Sequence, residues 1–300
     1  VPDIRLKKCY VHWIKVKELI SAGMWNSISR LSQVLSDGLD LVITNIWISA
    51  YLMGELSIAQ QIPTYISTLT NTLINLFSPN LTMYYAKDDT EAVVKELKLS
   101  MKFSSFFVNI IFCILVIFGK YFMQLWVPNQ DVNLIYSLLV VIMMSLLVSG
   151  VTTSLNNVFL VTNRLKVNSI FWLIISFTNV LLVFIFLNTT SLGIYAVAGV
   201  SKVTGILGNL IFVPLYACKC LKIKWNTFYP IIFRYIGTTF IMMIVFFGIK
   251  RLYVLPINWI TFFVVCVIAG VAGCIVNFFV LLNHTERSIM KNKIMARVRK

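Results

Sequence analysis

The sequence predicts an all-α polytopic membrane protein, a helical bundle of eight transmembrane helices. Three observations carry this. The 300-residue chain is 59% hydrophobic and only 12% charged, with a mean hydropathy of +0.85; a soluble domain carries about twice that charge. Apolar runs separated by charged or Asn/Pro-containing breaks fall at 18–49, 56–85, 99–119, 132–160, 168–187, 192–217, 229–249 and 257–282. Each is long enough to cross the ~30 Å hydrocarbon layer. Finally, Lys and Arg alternate between the connections.

One set of connections holds Arg5, Lys7, Lys8, Lys15 and Lys17, then Lys87, Lys95, Lys98 and Lys102, then Arg164 and Lys166, then Lys219, Lys222 and Lys224, and six more after residue 283. The other set holds only Lys120, Lys250 and Arg251. Twenty cations against three place both termini on the cytoplasmic side of a cell membrane. Trp13, Trp126, Trp225 and Trp259 sit near span ends, where an amphipathic ring suits the interface. The net charge of +15 lies in these loops, with no aromatic-basic interleaving of the kind that binds nucleic acid.

The first span has an unusual burden for a membrane helix. Asn26, Arg30, Gln33, Asp37, Asp40 and Thr44 are spaced four, three, four, three and four, so they fall within an arc of about 80° on one helical face. Three charges near mid-membrane cost roughly 7–10 kcal/mol, and the apolar residues around them return only about 2–5. Such a stripe must face other helices or a wet cavity, and it marks a transport pathway. Asp37 and Asp40 are i,i+3 neighbours, a carboxylate pair suited to carry a proton or hold Na⁺ as coupling ion; no other cofactor and no metal motif is expected. Arg30 offers a planar fork to phosphate oxygens.

The second span repeats the pattern without charge. Gln60, Thr64, Ser67, Asn71, Asn75, Ser78 and Thr82 again share about 80° of arc, with Asn71 and Asn75 tipping the reading toward a cavity wall. The fourth span offers Ser145, Ser149, Thr152 and Asn156, where interhelical hydrogen-bond glue is an equal reading. The sixth places Ala198, Ser201, Gly205, Gly208 and Asn209 around Lys202, and the small residues there read first as close packing. For Arg30, Asp37, Asp40 and Lys202 a structural ion pair between helices is the rival to a pathway. The last two spans are nearly uniform apolar sequence. Pro63 and Pro79 in the second span and Pro214 in the sixth are positions at which a helix kinks or ends. Residues 88–98 read as a short surface helix or solvated connector.

The six cysteines, Cys218 and Cys220 among them, suggest packing residues or free thiols rather than a disulfide framework. A membrane-embedded sugar polymerase or ligase would need a catalytic loop on the outer face, and the outer loops are short and lack histidine. The expectation is therefore a transporter and not an enzyme. A partner-binding membrane subunit is a further alternative.

The stretch SAGMWNSISRLSQVLSDGLDLVI, followed by GELSIAQQIPTYISTLTNTLINLFSPNLTMYYAKDD, resembles the start of the second lobe of polysaccharide flippases (O-antigen and teichoic-acid types). These belong to the multidrug/oligosaccharidyl-lipid/polysaccharide exporter superfamily. The resembling features are Asp40 late in the first helix, the Gly54–Glu55 turn, a polar second helix, and Pro79 followed by a tyrosine-rich end and an acidic loop. The segment 46–53, with Trp47 and no glycine before the turn, departs from the pattern. The resemblance implies a six-helix transporter lobe over 18–217 and two additional transmembrane helices over 218–282. A basic linker at 1–17 and a basic tail at 283–300 flank them, and a first lobe is expected upstream, the chain starting at Val1. It also implies flipping of undecaprenyl-pyrophosphate-linked oligosaccharides to the outer leaflet for cell-surface polysaccharide synthesis. Arg30 and Lys202 would then meet the pyrophosphate, and Asn and Gln side chains the sugar hydroxyls. A multidrug exporter of the same superfamily is the alternative.

Overall fold

The computed structural model describes residues 13–252 and 258–281. Among them the elements are α1 (Trp13–Trp47), α2 (Ala50–Asn75), α3 (Ser78–Ala86), α4 (Thr90–Trp126), α5 (Val132–Thr152), α6 (Asn156–Val161), α7 (Leu165–Thr189), α8 (Ile194–Leu207), α9 (Val213–Leu221), α10 (Tyr229–Leu252) and α11 (Trp259–Val280). A 3₁₀ turn, Thr153–Leu155, joins α5 to α6, and a π turn, Gly208–Phe212, joins α8 to α9. Among the described residues the fold is all-helical, and six membrane-length stretches are both long and apolar enough to cross a membrane, where eight were expected. The expected first and second spans, α1 and α2 with α3, carry the polar stripes and are not among the six.

Helix starts follow local chemistry. Side chains of Ser49, Asp89, Asp131 and Asn258 accept backbone N–H groups at the starts of α2, α4, α5 and α11, satisfying donors that have no partner within the helix. Asp89 changes the expected picture of residues 88–98. They are neither a surface helix nor a connector but the opening turns of α4, which runs unbroken for 37 residues. Val93 and Leu97 are buried there and tie the charged turns to the bundle. Pro63 sits inside α2 without ending it, Pro79 occupies the first turn of α3, where a missing N–H costs nothing, and Pro214 opens α9 directly after the π turn.

The helices α1, α2, α5, α7 and α8 pack side by side, and α4 lies against α2 and α5. Helices α10 and α11 dock on the far side of α4. They are fastened there by polar groups: Lys250 Nζ donates to Ile117 O (2.9 Å), and Asn277 exchanges amide hydrogen bonds with Asn109 (2.8 and 3.0 Å). Arg234 Nε donates to Val280 O (2.7 Å), joining α10 to the end of α11.

The apolar interior is split in two. One core, around Phe112, Phe118, Ile135, Leu139, Val197 and Phe246, fills the end that carries the 48–49 turn. The other, around Leu97, Leu155, Phe159, Ala217, Phe228 and Tyr235, fills the opposite end, where Lys87, Arg164, Lys219, Lys222 and Lys224 lie. We call the latter the basic end. Residues 1–12 of the expected linker and the expected tail 283–300 lie outside the described residues.

Candidate functional site

The charged stripe of α1 runs along a helix that packs on α2, α7 and α8. The side chains of Asn26, Arg30, Gln33 and Asp37 lie outside the described residues. Asp40 and Thr44 are described, and both are buried between helices, Asp40 at 3% exposure. Ser201 Oγ of α8 donates to Asp40 Oδ1 at 2.7 Å, while Thr44 Oγ1 donates to the Asp40 carbonyl at 2.7 Å. One turn along α8, Thr204 Oγ1 donates to Asn179 Oδ1 of α7. Asp40, Asn179, Ser201 and Thr204 thus form one polar node where three helices meet. Lys202 is half-buried at the next position of α8.

The α1–α7 contact is itself a row of small polar groups. Ser29 and Ser169 share a hydrogen bond (2.6 Å), Ser169 Oγ also donates to Trp25 O (2.8 Å), and Ser176 Oγ donates to Ser32 O (3.1 Å). Sequence reasoning missed this α7 face. Its signal was faint but present: Ser169, Ser176, Asn179 and Val183 are seven, three and four apart in an otherwise apolar helix.

The stripe of α2 behaves differently. Thr64, Asn71, Asn75 and Thr82 are exposed, and Gln60, Ser67 and Ser78 are half-buried. The opposite face, with Leu56, Ala59, Pro63, Ile66 and Ile74, is buried against the bundle. Glue would show hydroxyls bonding across to other helices. Instead Thr64, Thr68 and Thr72 each donate to their own helix four residues back. The result is an open polar face interrupted by Tyr65 and Leu69. Asn209, by contrast, lies apart from the Asp40 node. Its amide donates to Gly205 O (2.9 Å) and accepts from Thr152 of α5 (3.2 Å). In the fourth span Thr152 thus bonds across to a neighbouring helix, and Ser154 accepts from Ser100 Oγ of α4 at 3.1 Å, whereas Ser149 Oγ donates to Leu146 O of its own helix. Gly205 and Gly208 allow close approach of Ser145 and of Trp172 with Phe171.

Glu55 is a second buried carboxylate, at 1% exposure in the second turn of α2. Its neighbouring donor is the Tyr51 hydroxyl, one turn earlier on α2, in a hydrogen bond of poor geometry. A buried carboxyl so weakly satisfied is expensive, and within membrane helices such groups mark function. The described residues contain no group of three or more metal-ligating His, Cys, Asp or Glu side chains, and the five described cysteines are free thiols.

No family model matches the chain. Over 212 residues it is 26% identical to the uncharacterized membrane protein EpsK of Bacillus subtilis (strain 168), an alignment covering 71% of this chain and 42% of that protein. Its structure is similar to that of the lipid II flippase MurJ in an inward closed conformation, with a TM-score of 0.58 and 17% identity, over 85% of this chain and 51% of that one. The chain therefore spans about half the length of the proteins it matches. These findings and the helices define a multi-pass membrane protein with a fold like that of MurJ.

Proposed function

We propose that this chain is one half of a flippase for lipid-linked oligosaccharides carried on undecaprenyl pyrophosphate. It moves them from the cytoplasmic to the outer leaflet of the cell membrane by alternating access. The basic end faces the cytoplasm, in keeping with the twenty-to-three distribution of cations. The open face of α2 turns toward a second, upstream lobe, and the two enclose a central cavity. Asn71 and Asn75 meet sugar hydroxyls there, Gln60 lies deeper in the wall, and Arg30 and Lys202 meet the pyrophosphate. Asn26, Gln33 and Asp37 continue the same pathway along α1, and Thr44 lies buried behind it, bonded to the Asp40 carbonyl.

One observation carries this reading: a polar helix face left open on one side of an otherwise apolar bundle, its hydroxyls bonded only to their own backbone. A lipid-facing helix would not keep asparagines there, and amide side chains are apt partners for sugar hydroxyls because each both donates and accepts. The node at Asp40, Asn179, Ser201 and Thr204 is the place for the coupling ion, H⁺ or Na⁺. It supplies one carboxylate and three neutral oxygen-bearing side chains from three helices that would shift against one another.

The test is leaflet translocation of a short-chain undecaprenyl-pyrophosphate oligosaccharide by the full-length protein in proteoliposomes. Asn71→Leu with Asn75→Leu should lower the rate at least tenfold while leaving assembly in the membrane intact. In cells, loss of the gene should leave lipid-linked repeat units in the inner leaflet. Unchanged repeat-unit export together with lost efflux of cationic dyes would replace this reading by the multidrug exporter.

A further inference from the structure

Two neighbouring helices break near the same depth of the bundle. The α5 rod tightens into the 3₁₀ turn Thr153–Leu155 before α6, and the α8 rod widens into the π turn Gly208–Phe212 before α9. Single π turns inside helices recur at functional sites, and mid-helix 3₁₀ stretches often mark hinges. Here the two breaks are joined, because Thr152 Oγ1 donates to Asn209 Oδ1 across the α5–α8 contact (3.2 Å). The second break is stabilised from a third helix. Pro214 has no N–H to give to the Leu210 carbonyl, and the Tyr229 hydroxyl at the start of α10 donates to that oxygen at 3.1 Å.

The breaks also fall near the seam between the two apolar cores. On α4 the basic-end core reaches Met101 and the other core resumes at Val108. On α10 the same change occurs between Tyr235 and Met242. Its buried positions include the small polar residues Ser104, Ser105, Thr238 and Thr239. Among the described residues, Phe106 and Leu147 are the side chains that pack on both cores, so relative motion there disturbs less packing than motion within either core.

From these placements we infer that the lobe flexes across this seam. The basic-end segments α6 and α9, with the start of α10 and the basic-end turns of α4 that share their core, move as a unit against the rest, and the Thr152–Asn209 and Tyr229–Leu210 hydrogen bonds latch the conformation seen here. The device opens or closes the basic-end mouth of the lobe. It is a property of the helices and stands independently of which molecule is carried.

Hydrogen–deuterium exchange of the full-length protein in lipid nanodiscs tests it without any transport assay. Peptides spanning 150–157 and 205–216 should exchange together, and faster than 135–146 and 236–246. Asn209→Ala should speed exchange about fivefold in both segments, the effect of losing one hydrogen bond. Thr152→Val should do the same from the other side. Tyr229→Phe, which keeps the ring, should act mainly on 205–216. Pro214→Ala, restoring the helical donor, should slow it. Acceleration confined to the mutated segment would overturn the inference, since the breaks would then be uncoupled. Acceleration spread over every helix would overturn it as well, by making these bonds part of global stability.

Discussion

Asn277 and Asn109 form a buried amide pair whose energetics can be worked from the structure. Asn277→Ala removes three hydrogen bonds: from Asn109 Nδ2 to Asn277 Oδ1 (2.8 Å), and from Asn277 Nδ2 to Asn109 Oδ1 and to Phe106 O (3.0 Å each). Interhelical bonds in membranes average about 0.6 kcal/mol. The larger effect is on what remains, for Asn109 has no exposed surface and its amide would be left unpaired at about 1–3 kcal/mol. Water has little room to replace the lost partner, because a Cβ at Gly273, one turn away, would already lie 2.9 Å from Ile110 Cγ1. Each single alanine substitution should therefore cost about 2–3 kcal/mol. The double substitution should cost little more than either, since it removes both halves of the pair, giving a coupling of about 1–2 kcal/mol. The assay is reversible unfolding of the full-length protein in mixed micelles at rising SDS fraction, read as a double-mutant cycle. Single effects that add to within about 0.5 kcal/mol would refute the reasoning.

Three further outcomes are expected. Asp40→Asn keeps an acceptor for Ser201, so it should change stability by less than about 1 kcal/mol while abolishing ion dependence of transport; Ser201→Ala should cost about 1.5–3 kcal/mol. Retained ion dependence in Asp40→Asn would remove that carboxylate from coupling. Glu55→Leu exchanges a buried carboxyl held only by a poorly aligned Tyr51 hydroxyl for an apolar side chain of similar size and should stabilise the protein by about 1–3 kcal/mol while lowering transport, measured by thermal melting beside the proteoliposome assay; a lower Tm would show that Glu55 is satisfied where it lies. Gly150→Ala would place a Cβ 2.6 Å from Val108 Cγ1 and 3.0 Å from its Cβ, and because a valine cannot swing aside, melting should report a loss of about 1–3 kcal/mol.

Much of the architecture could be read from the chain because its signals are periodic. The α1 and α2 stripes repeat at helical spacing, and the apolar runs are bounded by cations that alternate sides. What escaped has a common cause, which is that contacts between distant segments leave no local mark. Ser169 and Ser176 find Trp25, Ser29 and Ser32 about 140 positions earlier, and Asn277 finds Asn109 across 168. The merging of 88–98 into α4 was hidden by its charged residues, which suit a helix leaving the hydrocarbon as well as they suit a loop. The π turn left only Gly205, Gly208 and Pro214 as traces, and small residues of that kind serve packing as often as bending. Asp40 was legible as a costly residue, but not that Ser201 of α8 seals it.

The unbroken length of α4 has a mechanical meaning. Its 37 residues span about 55 Å, against roughly 30 Å of hydrocarbon, so about 25 Å of it lies beyond the apolar layer. That stretch is packed rather than loose, with Val93 and Leu97 in the basic-end core, and tilting it by about ten degrees carries its tip, with α3, through about 4 Å. Whatever grips that tip from the aqueous side, or holds it still, acts on the bundle with the advantage of that arm.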